Sequence, residues 1–259
     1  MARVSAVRYH ETVWSALYPG NRHSTHCLRP AVFAVENTFE FTPVQRRRVA
    51  WRLDGGFGSD DNLNWLLARD YQVLAKGASN RRAEALARQV QRWDAAPGDC
   101  WLAWVPTPIS FVRPVQTLVK RRLVKGQFRH SYYFGTLRLP SKRAFMQCYN
   151  NRGGAETELF RGDKDGLYLS HRRKHRMNAQ EGLVLITDLA HNLLADFEHR
   201  ALAGSAFAGY GPKRITRDLL AIPGRVYFEG DELKRIALLS THQYALKMLQ
   251  CLEKYCNGE

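Results

Sequence analysis

Asp54 is followed at once by Gly55-Gly56-Phe57-Gly58-Ser59-Asp60. That grouping admits three chemistries: a carboxylate capping a turn, a glycine loop cradling a phosphate, or an oxygen ligand for a metal ion. The phosphate loop lacks its other parts, because neither the third glycine of a dinucleotide fingerprint nor a Lys-Ser or Lys-Thr pair follows. A second grouping, YNNRGGAETE from Tyr149 to Glu158, reads as helix. At about 100° per residue, Tyr149 and Glu156 fall within about 20° of each other and Arg152 about 60° away. One face then carries an aromatic ring, a guanidinium and a carboxylate; a solvated face with a helical ion pair has the same pattern. Gly153 and Gly154 weaken such a helix by up to about 1 kcal/mol each and equally let a phosphate backbone come close.

The elements that must position these groups are legible in the periodicity. RVSAVRYH and TVWSALY alternate as strands, and YPGN turns the chain after the second. From about Leu28 to Glu40 the pattern is ambiguous, and a short helix before FTPVQ fits it. Val49, Trp51 and Leu53 share one face of a strand that ends at Asp54. A helix with Ser59 or Asp60 as N-cap follows, carrying Leu63, Leu66 and Leu67 at helical spacing, and YQVLAKG returns as a strand. Between about Asn80 and Pro140 a charged helix leads into strand-like, basic, proline-crossed segments that read as a β-rich insertion. Beyond it, NAQEGLVLITDLAHNLLADFEHRAL is the strongest helix, with Ile186, Leu189, Leu193 and Phe197 as the expected core stripe. A hairpin around Gly230 and a closing helix complete the chain. This order is that of an α/β core.

Composition bounds the partners. The chain has 259 residues, 45% of them hydrophobic, enough for a buried core, and a formal charge of +15, which makes a polyanion the leading partner. No apolar run approaches the roughly 20 residues that span a bilayer, and no secretory signal pattern opens the chain; no membrane association and a cytoplasmic location are expected. Five cysteines form no C-x-x-C pair and suit no closed disulfide framework, so free thiols are expected. His23, His26 and Cys27 lack the second ligand pair of a zinc site.

Together, a strand-end Asp before G-F-G and a later Y-x-x-R-x-x-x-E resemble the DDE-type transposases of bacterial insertion sequences over nearly the whole chain. The resemblance implies a ribonuclease-H-like (retroviral-integrase-like) core. Residues 1–79 would form its first part, 80–140 a β-rich insertion, and 141–259 the remainder, with the carboxylate-bearing helix. It implies that Asp54 and Glu156 are the second and third catalytic carboxylates, holding Mg2+ or Mn2+. Three such carboxylates bind two ions about 4 Å apart that serve the attacking and leaving oxygens of phosphodiester cleavage and strand transfer. Tyr149 and Arg152 match the family's Y and R, and HNLL, His191 to Leu194, also resembles it. The family's lysine, seven positions beyond its glutamate, meets Asp163 here; Lys164 is its nearest counterpart and Arg161 a substitute. Arg172, Arg173 and Lys174, within HRRKHR, would contact DNA backbone, as would Lys120, Arg121 and Arg122, interleaved with Trp101, Trp104, Tyr132 and Tyr133.

The family's first Asp has no counterpart, for no aspartate precedes Asp54 and the only earlier acids are Glu11, Glu36 and Glu40. The chain therefore reads as amino-terminally truncated, and as catalytically incomplete. The alternative function is a non-catalytic DNA-binding remnant or regulator of transposition. DNA, at element ends and target, is the expected partner, with a homodimer on DNA.

Overall fold

The computed structural model describes residues 1–170 and 176–257, with the backbone alone over 152–159. Strands β1 (Ala2–Ser5) and β2 (Thr12–Ala16) come first, then α1 (Leu28–Phe39), α2 (Pro43–Arg46), β3 (Ala50–Leu53), α3 (Asp60–Ala68), β4 (Gln72–Lys76) and α4 (Asn80–Arg88). β5 (Asp94–Ala96), β6 (Cys100–Val105), β7 (Gln116–Val124) and β8 (Gln127–Gly135) precede the long α5 (Lys142–Gly166) and α6 (Met177–Phe197). The short α7 (Pro212–Arg214), the strands β9 (Gly224–Glu229) and β10 (Glu232–Leu238), and α8 (Ala245–Asn257) follow. The chain divides into two compact units: one is Tyr18–Gly153 with Ala2, the other Arg3–Leu17 and Gly154–Glu259 with Met1.

The first unit is built on a mixed six-stranded sheet in the order β3-β4-β8-β7-β6-β5. β3 lies parallel to β4, with Trp51 opposite Val73 and Leu53 opposite Ala75, and α3 makes the crossover that parallel strands require. Ser59 caps α3 by accepting the Asn62 N–H at 3.3 Å, and Leu63, Leu66 and Leu67 bury its inner face. The run Val73-Leu74-Ala75 is buried on both faces, as expected for a strand inside a sheet covered on two sides. Leu74 packs with Leu102, Leu118, Tyr133, Phe145, Met146 and Tyr149. The strands from the 80–140 segment extend this same sheet, β8 lying antiparallel beside β4 with Ala75 opposite Phe134.

In the second unit β1 and β2 form a two-stranded sheet. Asn192 of α6 brackets β2, accepting from the Thr12 N–H at 2.8 Å and donating to the Thr12 carbonyl at 2.9 Å. The core gathers Leu194, Phe197, Leu202, Phe207, Ile215, Leu219 and Met248. The helix α6 corrects the stripe expected from its periodicity. Ile186, Leu189 and Leu193 are 66%, 62% and 59% exposed, and of that stripe only Phe197 is buried. The inward face is instead Val184, Thr187, Asp188, His191 and Leu194. It carries the polar groups that bond to the strand pair and to α5, and a helix must bury the face whose hydrogen bonds are made inside.

Candidate functional site

Asp54 lies just beyond the carboxyl end of β3 and is exposed. Its Oδ1 accepts the Gly55 N–H at 2.7 Å, and its carbonyl accepts the Phe57 N–H at 2.9 Å, closing the turn. Close packing makes the glycines necessary. A Cβ at Gly58 would lie 2.2 Å from the Lys76 carbonyl oxygen, and one at Gly56 would lie 2.6 Å from Ser24 Oγ, whose hydroxyl donates to the Gly56 carbonyl at 2.7 Å. Asn62, buried, donates to the Phe57 and Thr25 carbonyls and pins the loop from below. Asp60 is held bidentately by Arg82 at 2.8 and 2.9 Å. The loop is thus a braced turn that presents a carboxylate at a strand end, where open α/β sheets place functional side chains.

The second sequence motif meets this turn at its first residue. Tyr149 of α5 is only 4% exposed. Its ring packs edge-on to Tyr133, centroids 4.7 Å apart, and its hydroxyl donates to the Leu53 carbonyl at 3.5 Å. The guanidinium of Arg52 donates to the Cys148 carbonyl at 3.0 Å. Tyr149 therefore contributes a packed ring and a hydroxyl at the strand end, not an open stacking face. The side chains of Arg152 and Glu156, and the whole of Arg172, Arg173 and Lys174, lie outside the described residues. Arg161 and Lys164 are both exposed, with Arg161 3.9 Å from Asp165.

The β7–β8 ladder carries Lys120, Arg121, Arg122, Lys125 and Arg129 and no acidic residue. Arg122 stands directly opposite Arg129, both exposed, a like-charge pairing that costs stability. Arg121 points to the other face, where its guanidinium sits 4.6 to 4.9 Å from the ring centroids of Trp93, Trp101 and Phe128. Tyr132 and Tyr133 are buried, and Trp104 packs edge-on to Phe145. Of the expected cation and aromatic pattern, Arg122 is exposed, Arg121 is turned onto aromatic rings, and the two tyrosines are core.

One polar cluster went unrecognised in the sequence, and it belongs to the second unit. Arg3, Asp163 and His191 are buried together. Arg3 donates to Asp163 at 2.5 Å and also to Asp188, while stacking 4.7 Å from the Phe160 centroid. His191 bonds Asp163 through Nδ1 and the His10 carbonyl through Nε2. Burial opposes charging of His191, but the hydrogen bonds to Asp163 and to the His10 carbonyl hold its pKa above the ordinary value. Burial also raises the carboxyl of nearby Glu198. The position where the resemblance expects a lysine is thus filled by an aspartate that anchors β1 and α6. The only sequence signal was His191 within HNLL.

For a divalent cation the strand end presents the Asp54 carboxylate. Among the described residues no three His, Cys, Asp or Glu side chains converge as metal ligands, so the described side chains alone do not fit a two-metal centre. Nor is any helix among them long and apolar enough to cross a membrane. No family model matches the chain, and no curated protein matches it.

Proposed function

We propose that the chain is the catalytic-domain portion of a DDE-type transposase of bacterial insertion sequences, acting on DNA in the bacterial cytoplasm. Its α/β sheet would be the core of a ribonuclease-H-like fold. The observation that carries this reading is the meeting of the two motifs: the Tyr149 hydroxyl lies at the carbonyl of Leu53, the residue before Asp54. The strand end that bears the carboxylate and the first residue of Y-x-x-R-x-x-x-E thereby meet, through a Leu53–Tyr149 bond between residues 96 apart along the chain. Asp54 and Glu156 are the proposed oxygen ligands of magnesium or manganese, a hard-cation donor set. Arg122 and Arg129 supply positive charge for phosphate neutralisation.

No aspartate stands among residues 1–53, so the family's first carboxylate has no counterpart within this chain. Losing one such electrostatic element costs on the order of 100- to 1000-fold in rate. DNA occupancy without cleavage is the second reading, and the acid-free β7–β8 ladder favours it. The test is a magnesium- or manganese-dependent nicking and strand-transfer assay on DNA bearing element ends, run beside a binding assay. Weak activity abolished by Asp54→Ala and by Glu156→Ala supports the transposase reading. Binding with no metal-dependent product supports the second. Absence of both overturns the two together.

A further inference from the structure

The β9–β10 hairpin is exposed along the whole of β9, and a two-stranded ribbon leaves both its edges open. The edges differ. β10 is irregular, with a register shift between Leu233 and Arg235 and Lys234 at the break, two devices that discourage strand addition. β9 is regular. The Leu239 N–H donates to the Pro223 carbonyl at 2.8 Å, and the register pairs Arg225 with Ala237 and Tyr227 with Arg235. Because hydrogen-bonded pairs alternate along an antiparallel ladder, residues 225 and 227 turn their amides toward β10. Val226 and Phe228 therefore turn theirs to the open edge.

From this geometry we propose that β9 is a self-association edge whose occupant is β9 of a second copy of this chain, added antiparallel about a two-fold axis at Tyr227. The sequence of β9, Arg225-Val226-Tyr227-Phe228-Glu229, is chemically palindromic. Antiparallel pairing centred on Tyr227 sets Val226 opposite Phe228 of the other copy, both with outward amides, so each pair exchanges two backbone hydrogen bonds. The same register sets Arg225 opposite Glu229 of the other copy, twice, on the face that carries Tyr227. The opposite face joins Val226 and Phe228, 56% and 63% exposed, to their symmetry copies and covers part of both. Charge and hydrogen-bond phase thus select one register. An interface of one strand edge is small, which places it among transient, concentration-dependent associations. The proposal is independent of the transposase reading.

Sedimentation velocity of the full chain, without DNA and over a concentration series, tests it. The unmodified chain is expected to show reversible monomer–dimer exchange. Arg225→Glu and Glu229→Arg each put like charges opposite one another at both ends of the pairing, and each alone should associate at least about tenfold more weakly. Mixing the two variants restores both ion pairs and should restore the dimer, as should the double swap in one chain. Both positions are exposed, so circular dichroism should be unchanged. A chain that stays monomeric, single variants that dimerise normally, or a mixture that fails to recover would each overturn the proposal.

Discussion

His191 lies 2.7 Å from Asp163 through Nδ1 and 2.8 Å from the His10 carbonyl through Nε2. With Asp163 ionised, both partners only accept. A neutral imidazole has one N–H, so making both bonds requires the imidazolium. The charges then balance: Arg3 and His191 against Asp163 and Asp188. The cluster joins β1 to α5 and α6 within the second unit, and Glu198 faces it from the turn after α6.

Stability should follow the charge of His191. Its folded pKa is raised above the ordinary 6.5, so the folded state holds the proton more tightly than the unfolded chain. The stabilisation is complete below about pH 6.5 and is lost as pH rises through the folded pKa. Thermal melts from pH 6 to 9 should show a falling Tm in the unmodified chain and a flatter profile in His191→Gln. Asp163→Asn, which leaves buried cations short of a partner, should cost about 3 to 5 kcal/mol in a urea titration.

Gly58→Ala should destabilise the Asp54 turn, because the new Cβ would lie 2.2 Å from a backbone oxygen that cannot swing away. A cost of about 1 to 3 kcal/mol is expected, read from chemical denaturation. Gly20→Ala meets nothing within 4 Å and serves as the near-neutral control.

Tyr149 separates packing from DNA contact. Tyr149→Phe keeps the ring and should cost about 1 kcal/mol of stability while leaving DNA affinity unchanged in a fluorescence anisotropy titration. Tyr149→Ala empties a core position and should cost about 3 to 5 kcal/mol. A large affinity loss in the phenylalanine variant, with normal stability, would make the hydroxyl a DNA contact.

Arg122→Gln should have effects of opposite sign on stability and on binding. It relieves the cross-strand repulsion with Arg129, raising Tm slightly. If the ladder neutralises DNA phosphate, it also weakens duplex binding and lowers the log-log salt slope by up to about 0.9. An unchanged slope would remove Arg122 from the DNA surface.

Local signals in the sequence were enough to determine the strand before Asp54, a helix cap at Ser59 or Asp60, which the structure gives to Ser59, and the hairpin around Gly230, because alternation, capping and turn chemistry act over a few residues. Local periodicity also read 178–202 as helical, but did not tell which face it would bury. Ile186, Leu189 and Leu193 make the better apolar stripe, yet tertiary structure turned Asp188 and His191 inward, where Arg3, Asp163 and the His10 carbonyl satisfy them. Arg3 and Asp163 are 160 residues apart, and no periodicity encodes a pairing at that range. The same holds for Arg121, one of three consecutive cations in the sequence, which only the sheet's two-sidedness and the placement of Trp93, Trp101 and Phe128 set apart from Arg122. A side chain's type determines what it can bond. The packing of distant elements determines which partners it meets and whether water competes for them.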